Sequence, residues 1–219
     1  MPELSPAGDC TMNFHNQLTR IRRKLPLARI FDQELAAFGA ATHRYELGDT
    51  VTEAELAAFE AQHGIELPPC YRAFVTAVGS GGPQASREGA GPAHGLYAFG
   101  TGLDEVVDSG FNHLRRPVFF HAGFTADSWF AMVQQRISAV TDNDYDQYCA
   151  RLYAGILTIG HQGCSGYQGL VLNGPLRGRV LYYYQEPELM PELAPEANFL
   201  DWYEGWLDTC LREARLCLS

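Results

Sequence analysis

The residues with the clearest potential for covalent chemistry in this 219-residue chain are His161-Gln162-Gly163-Cys164. A cysteine becomes a nucleophile when a base within hydrogen-bond reach lowers its pKa, and a tight turn would bring this histidine and thiol together. A complete site also needs a group that orients the base, and the sequence offers no identifiable third member. A small cysteine-dependent enzyme using Cys164 and His161 is therefore the remote reading, and the expectation is that no residue is catalytic.

Metal and phosphate chemistry find little more support. His63, His94, His113 and His121 are dispersed, and the six cysteines (Cys10, Cys70, Cys149, Cys164, Cys210, Cys217) form no CxxC pair, so half a zinc site never appears. Without a disulfide framework they read as reduced thiols, with Cys70, Cys149 and Cys210 acting as small hydrophobes. Asp142-Asn143-Asp144-x-Asp146 has the opening spacing of a calcium loop but lacks its glycine and its closing glutamate. The glycine run Gly79–Gly82 is not followed by the Lys-Ser or Lys-Thr of a phosphate-binding loop. The expectation is no metal and no cofactor.

Charge is more informative. The formal net charge is −10, which argues against gripping a nucleic-acid backbone and favours a basic partner. After Arg179 no lysine or arginine occurs until Arg212, while Glu186, Glu188, Glu192, Glu196, Asp201, Glu204 and Asp208 lie between. Asp142, Asp144 and Asp146 form a second acidic knot. The one basic concentration, Arg20, Arg22, Arg23 and Lys24, reads as a solvated helix face. No stretch is apolar enough to cross a bilayer, and MPELSPAGDC shows no basic segment leading into an apolar one, so a soluble cytoplasmic protein without membrane contact is expected.

These residues sit on elements that can be read locally. Residues 1–12 look like a flexible tail, and Phe14 to about Ala40 is helical in pattern, with Pro26 ending or kinking it. Thr52-x-x-Glu55 is a capping box opening a helix that Gly64 stops. Pro68-Pro69 pre-sets a second helix, in which Tyr71, Phe74, Val75 and Val78 share a face. Gly79–Gly95 is a loop, and Gly95–Phe99 a first strand. Residues 103–154 are the least legible, Trp129–Val140 fitting strand or helix and Tyr145–Tyr153 a short helix. Gly155–Ile159 is a strand, and Tyr167–Asn173 and Arg179–Gln185 form a hairpin whose second strand is apolar on both faces. The last helix carries Phe199, Trp202, Tyr203, Trp206, Leu207, Cys210 and Leu211 as one uninterrupted stripe, which suits packing on a sheet.

The run TEAELAAFEAQHGIELPPCYRAFVTAVGSGG from Thr52, followed by GPAHGLYAFG, resembles the opening signature of the SUKH (SMI/KNR-type) superfamily. His43-Arg44-Tyr45, the stretch LTIGHQGCSGYQGLVLNGPLRGRVLYYY from Leu157 to Tyr184, and NFLDWYEGWLDTCL from Asn198 to Leu211 match further parts of it in order. A longer loop, containing QASREGA, precedes the GP…GLY element. The resemblance implies an α+β fold in a single domain: a twisted, mainly antiparallel sheet with helices packed on it. A helical extension over 13–44 would precede a SUKH-like domain over 45–219. It further implies a non-catalytic immunity protein, an antitoxin that binds and neutralises a cognate secreted or polymorphic toxin. The contact is expected on Asp142, Asp144, Asp146, Glu186, Glu188 and Glu192. The alternative is a regulatory protein–protein interaction adaptor, as eukaryotic members suggest.

Overall fold

The computed structural model describes residues 11–84, 88–107, 110, 112–121, 123–134 and 141–217. Residues 1–10 of the expected tail lie outside the described residues, and Thr11 and Met12 belong to the first helix, α1 (Thr11–Phe31). After α1 come the one-turn α2 (Ala40–His43), α3 (Glu53–His63) and α4 (Pro69–Ala77). A short strand β1 (Gly95–Leu96) and a 3₁₀ turn at His113–Arg115 precede α5 (Ala126–Val133) and α6 (Asp142–Leu152). Then follow β2 (Ile156–Gly163), β3 (Gly166–Val171), β4 (Val180–Tyr184), β5 (Glu192–Leu193) and α7 (Phe199–Cys217).

The strands form one antiparallel sheet in the order β1-β2-β3-β4-β5, so the expected α+β class is found. The expected hairpin is β3–β4, with Tyr167 opposite Tyr183 and Gly169 opposite Leu181. Both faces of β4 are covered: Val180 and Tyr182 pack with α1, α3, α4 and α7, while Leu181 and Tyr183 pack with α5 and α6. Within the second layer the Thr158 and Tyr183 hydroxyls share a buried hydrogen bond of 2.5 Å. The first strand is shorter than the five residues expected, because the chain leaves β2 after the Tyr97 N–H donates to the Ile159 carbonyl. Trp129 opens no strand but lies within α5, fully buried, with its indole N–H donated to the Pro187 carbonyl at 2.8 Å. Residues 135–140, the remainder of the ambiguous stretch, lie outside the described residues.

The helical hairpin forms as its caps dictate. Thr52 and Glu55 exchange the two bonds of the capping box, Gly64 ends α3 at φ 63°, and Pro69 opens α4. Arg72 ties the two helices by pairing with Glu53 and Glu60, and Glu60 also accepts the Leu67 N–H at 2.8 Å. The α7 stripe packs as expected, with Phe199, Tyr203 and Leu207 fully buried and the Trp202 indole donating to the Tyr182 hydroxyl at 2.9 Å. The His43-Arg44-Tyr45 lead-in lies on this helix, His43 edge-on to Trp206 with ring centroids 5.5 Å apart and Tyr45 stacked at 6.0 Å.

Two expectations for the N-terminal segment are corrected. Pro26 does not end the helix: α1 continues to Phe31. Pro26 and Arg22, whose carbonyl loses its partner, both face solvent, while Ile21 and Ala28 are buried on either side and hold the helix down. Nor is the basic run only a solvated face. Arg20 donates two hydrogen bonds of 2.8 Å to Glu204, and Lys24 reaches Glu204 at 2.8 Å and Asp208 at 2.5 Å. Gln17 adds a bond to Asp201 at 2.9 Å. Much of the acidic C-terminal segment is thus engaged within the protein, clamping α1 along α7.

Candidate functional site

The cysteine–histidine pair proves to be a turn feature. Cys164 and Ser165 close the β2–β3 hairpin, with Cys164 exposed and held at φ 51°. The His161 ring lies over the turn, its Nε2 3.1 Å from the carbonyl oxygen of Cys164. The nitrogen that would serve as base is therefore directed at a backbone oxygen, and the thiol is presented to solvent. Among the described residues, no group of three His, Cys, Asp or Glu side chains is placed to hold a metal ion.

The six acidic residues singled out in the sequence occupy two different settings. Asp142 and Asp144 form the first turn of α6, where carboxylates complement the positive end of the helix dipole. Asp144 is half-buried and accepts from the Thr141 N–H at 3.1 Å, while Thr141 Oγ1 accepts from the Asp144 N–H at 3.2 Å: a second capping box, invisible as such in an acidic run. Asp146, one turn beyond Asp142, is also half-buried. Glu186 and Glu188 are exposed on either side of the buried Pro187, in the loop leaving β4. Glu192 is exposed on β5, opposite Tyr182. Tyr153, just beyond α6, donates to the Tyr184 carbonyl at 2.8 Å, so it is the C-terminal end of α6 that meets the Glu186 loop. At 1.5 Å per residue the first turn of α6 lies about 15 Å away along its axis.

A different grouping escapes local reading. Glu105 lies 3.5 Å from the Tyr167 hydroxyl, Glu186 also acts on Tyr167, and Glu105 and Glu88 both act on Tyr97. Burial first, and then the Glu105 carboxylate, raises both phenols above their ordinary value. The three carboxylates come from distant loops, and only the pairing of β2 with β1 and β3 gathers them; no spacing in the chain signals it. Among the described residues no lysine or arginine pairs with Glu88, Glu105 or Glu186.

Beside these carboxylates runs a line of rings across the sheet edge. Tyr167 and His161 are 5.6 Å apart, His161 and His94 5.6 Å, and His94 and Phe38 5.1 Å, between ring centroids. Tyr167 is buried, the two histidines are half-buried, and Phe38 is 71% exposed. The arrangement is an acidic, aromatic surface, suited to binding a cationic group.

Comparison with known families, made on the whole chain, matches the model of the SMI1 / KNR4 family (SUKH-1) over residues 50–205. This span takes in α3, α4, the entire sheet, α5, α6 and the start of α7, and leaves out α1 and α2. Comparison with curated proteins and with solved structures gives no match.

Proposed function

Because the chain belongs to the SMI1/KNR4 (SUKH-1) family, whose members are known as immunity-type proteins, we propose that it is a non-catalytic antitoxin. It binds a cognate toxin domain one-to-one, in the cytoplasm of the cell that makes it, and occludes the toxin's active site. The family match across the full sheet is the observation that carries this reading. Charge supports it: a chain of net charge −10 is complementary to a basic partner such as a nuclease, which must grip phosphates. We assign contact roles to Glu186, Glu188 and Glu192 in and after the β4–β5 loop, and to Asp142, Asp144 and Asp146 on α6. Asp144 is the member with a structural role of its own, since it caps α6. Among the described residues no helix is long and apolar enough to cross a membrane, which agrees with a partner met in solution.

The test is affinity capture from the native cell with low- and high-salt washes, followed by growth rescue. A dominant basic partner, held near one-to-one and toxic unless this chain is co-expressed, is the expected result. Replacing Glu186 and Glu188 by lysine should slow association with that partner and weaken its salt dependence. Capture of several weakly held housekeeping proteins without any growth phenotype would overturn the reading in favour of an adaptor.

A further inference from the structure

Phe38 is the most exposed large apolar side chain among the described residues, yet the loop that carries it is fastened on both sides. Before it, the Asp32 carboxylate accepts from the Ala36 N–H at 2.7 Å, the Ala37 N–H at 3.2 Å and the Tyr45 hydroxyl at 2.8 Å. After it, Gly39 at φ 79° lies so close to the turn at Ala93 that a Cβ there would sit 1.6 Å from the Ala93 carbonyl oxygen. That turn is anchored in its own right, since the buried Gln168 side chain donates to the Pro92 carbonyl at 2.8 Å. A ring displayed to water on so firmly held a loop is not explained by core packing.

Three of the six non-glycine residues with left-handed backbone among the described residues fall in the same place. Leu35, Ala93 and Cys164 all adopt left-handed conformations, φ 54°, 54° and 51°, that non-glycine residues rarely take. They belong to three separate loops, and these are the loops that present Phe38, His94 and the end of the His161 hairpin. Strain of this kind persists where the surrounding structure holds a site in shape.

We infer that Phe38, His94, His161 and Tyr167, together with Glu105 and Glu186, form an anchor surface for an arginine-bearing segment of a basic protein partner. The inference rests on the binding-module reading above and deepens it by naming the chemistry of the contact. Charge complementarity selects the occupant: among the described residues no lysine or arginine pairs with the carboxylates at one end of the ring line, and aromatic faces attract a guanidinium. A rigid exposed aromatic on the same surface as unpaired carboxylates suits an interface hot spot, with little ordering entropy left to lose on binding. The family match begins after Phe38, so the N-terminal extension contributes a side chain to a surface otherwise built by the family domain.

The experiment uses the ¹⁵N-labelled full chain titrated at low salt with the capped peptide acetyl-Gly-Arg-Gly-Arg-Gly-amide, and with its glutamate counterpart. Amide shifts should centre on residues 38, 94, 161 and 167 with the arginine peptide alone. Phe38→Ala, and separately Glu105→Gln with Glu186→Gln, should each weaken binding about five- to tenfold. Glu66→Gln, which removes one exposed charge elsewhere, should leave it unchanged. Each variant's spectrum reports directly whether it is folded, and the Phe38 side chain is exposed enough to remove without opening the core. Shifts spread over the acidic surface at large, or affinities insensitive to these residues, would overturn the inference. If a captured toxin is bound equally well by Phe38→Ala and by the Glu105→Gln/Glu186→Gln protein, the antitoxin reading stands and this anchor falls. If the peptide binds here but no toxic partner exists, the anchor stands and the antitoxin reading falls.

Discussion

Replacing Glu204 by glutamine tests whether the α1–α7 clamp stabilises the fold through charge. Glu204 is 8% exposed and receives hydrogen bonds from Arg20 and Lys24. Burial by itself would raise its carboxyl, but those two cations outweigh it and bring the group from 4.5 down to about 2. At 1.36 kcal/mol per pH unit this corresponds to about 3 kcal/mol of preference for the ionised form in the folded state. Arg20 is itself half-exposed and partly screened by water, which reduces the expected loss in Glu204→Gln to about 2 kcal/mol at pH 7. That loss should lower Tm by about 4–8 °C for a chain of this size. Because the folded-state value is the depressed one, the contribution is complete above pH 4.5, shrinks as pH falls towards 2, and is absent below. Urea unfolding of the wild type and Glu204→Gln at pH 7, 4 and 2.5 reads this directly: the two curves should converge as the pH is lowered. A gap that is the same at pH 2.5 as at pH 7 would show that glutamine disturbs packing, and no gap at pH 7 would refute the charge argument altogether.

Two other perturbations follow from the packing and the buried histidine. Trp202→Ala removes a buried indole and its bond to Tyr182, and should cost roughly 3–5 kcal/mol in chemical denaturation; the half-buried Trp206 should cost less, and the reverse order would mean the stripe is oriented differently. His113 is held neutral by burial, and secondarily by Arg116, which pushes it down from 6.5 to about 4. The unfolded chain therefore takes up a proton that the folded protein refuses, and stability should decline by up to about 3 kcal/mol as pH falls from 6.5 to 4. His113→Asn should flatten that decline, and an unchanged slope in the variant would assign it to other groups.

The elements legible in the sequence are those whose determinants are local. The Thr52–Glu55 capping box, Pro69, Gly64 and the stripe from Phe199 to Leu211 each specify their helix through neighbours within a few residues. The β3–β4 hairpin declared itself through its turn and through alternation on Val180–Tyr184, whose two faces do meet two different layers. Residues 103–154 were opaque for the opposite reason. Trp129, Tyr148 and Leu152 are buried against Tyr183 and Val171, a surface that exists only once the sheet has formed. Pro26 misled because helix-breaking is a local rule and the burial of Ile21 and Ala28 a tertiary one. Of the acidic residues, Asp144 has capping as its local role, whereas Glu186 acquires its company of Glu88 and Glu105 from strand pairing. Phe38 gave no signal at all, since a lone aromatic among alanines is ordinary until its exposure and its fastenings are known.

The clamp between the first and last helices also dictates an order of events at birth. Gln17 and Arg20 find their partners 184 residues further along the chain. At the usual 5–20 residues per second, α1 is synthesised about ten to forty seconds before α7 leaves the ribosome. Throughout that interval α1 can meet α4 but not α7, the helix that covers most of its apolar side. The β2–β3–β4 meander, by contrast, closes between near neighbours as it emerges. The meander can therefore pair before α7 is made, whereas the clamp between α1 and α7 can close only afterwards.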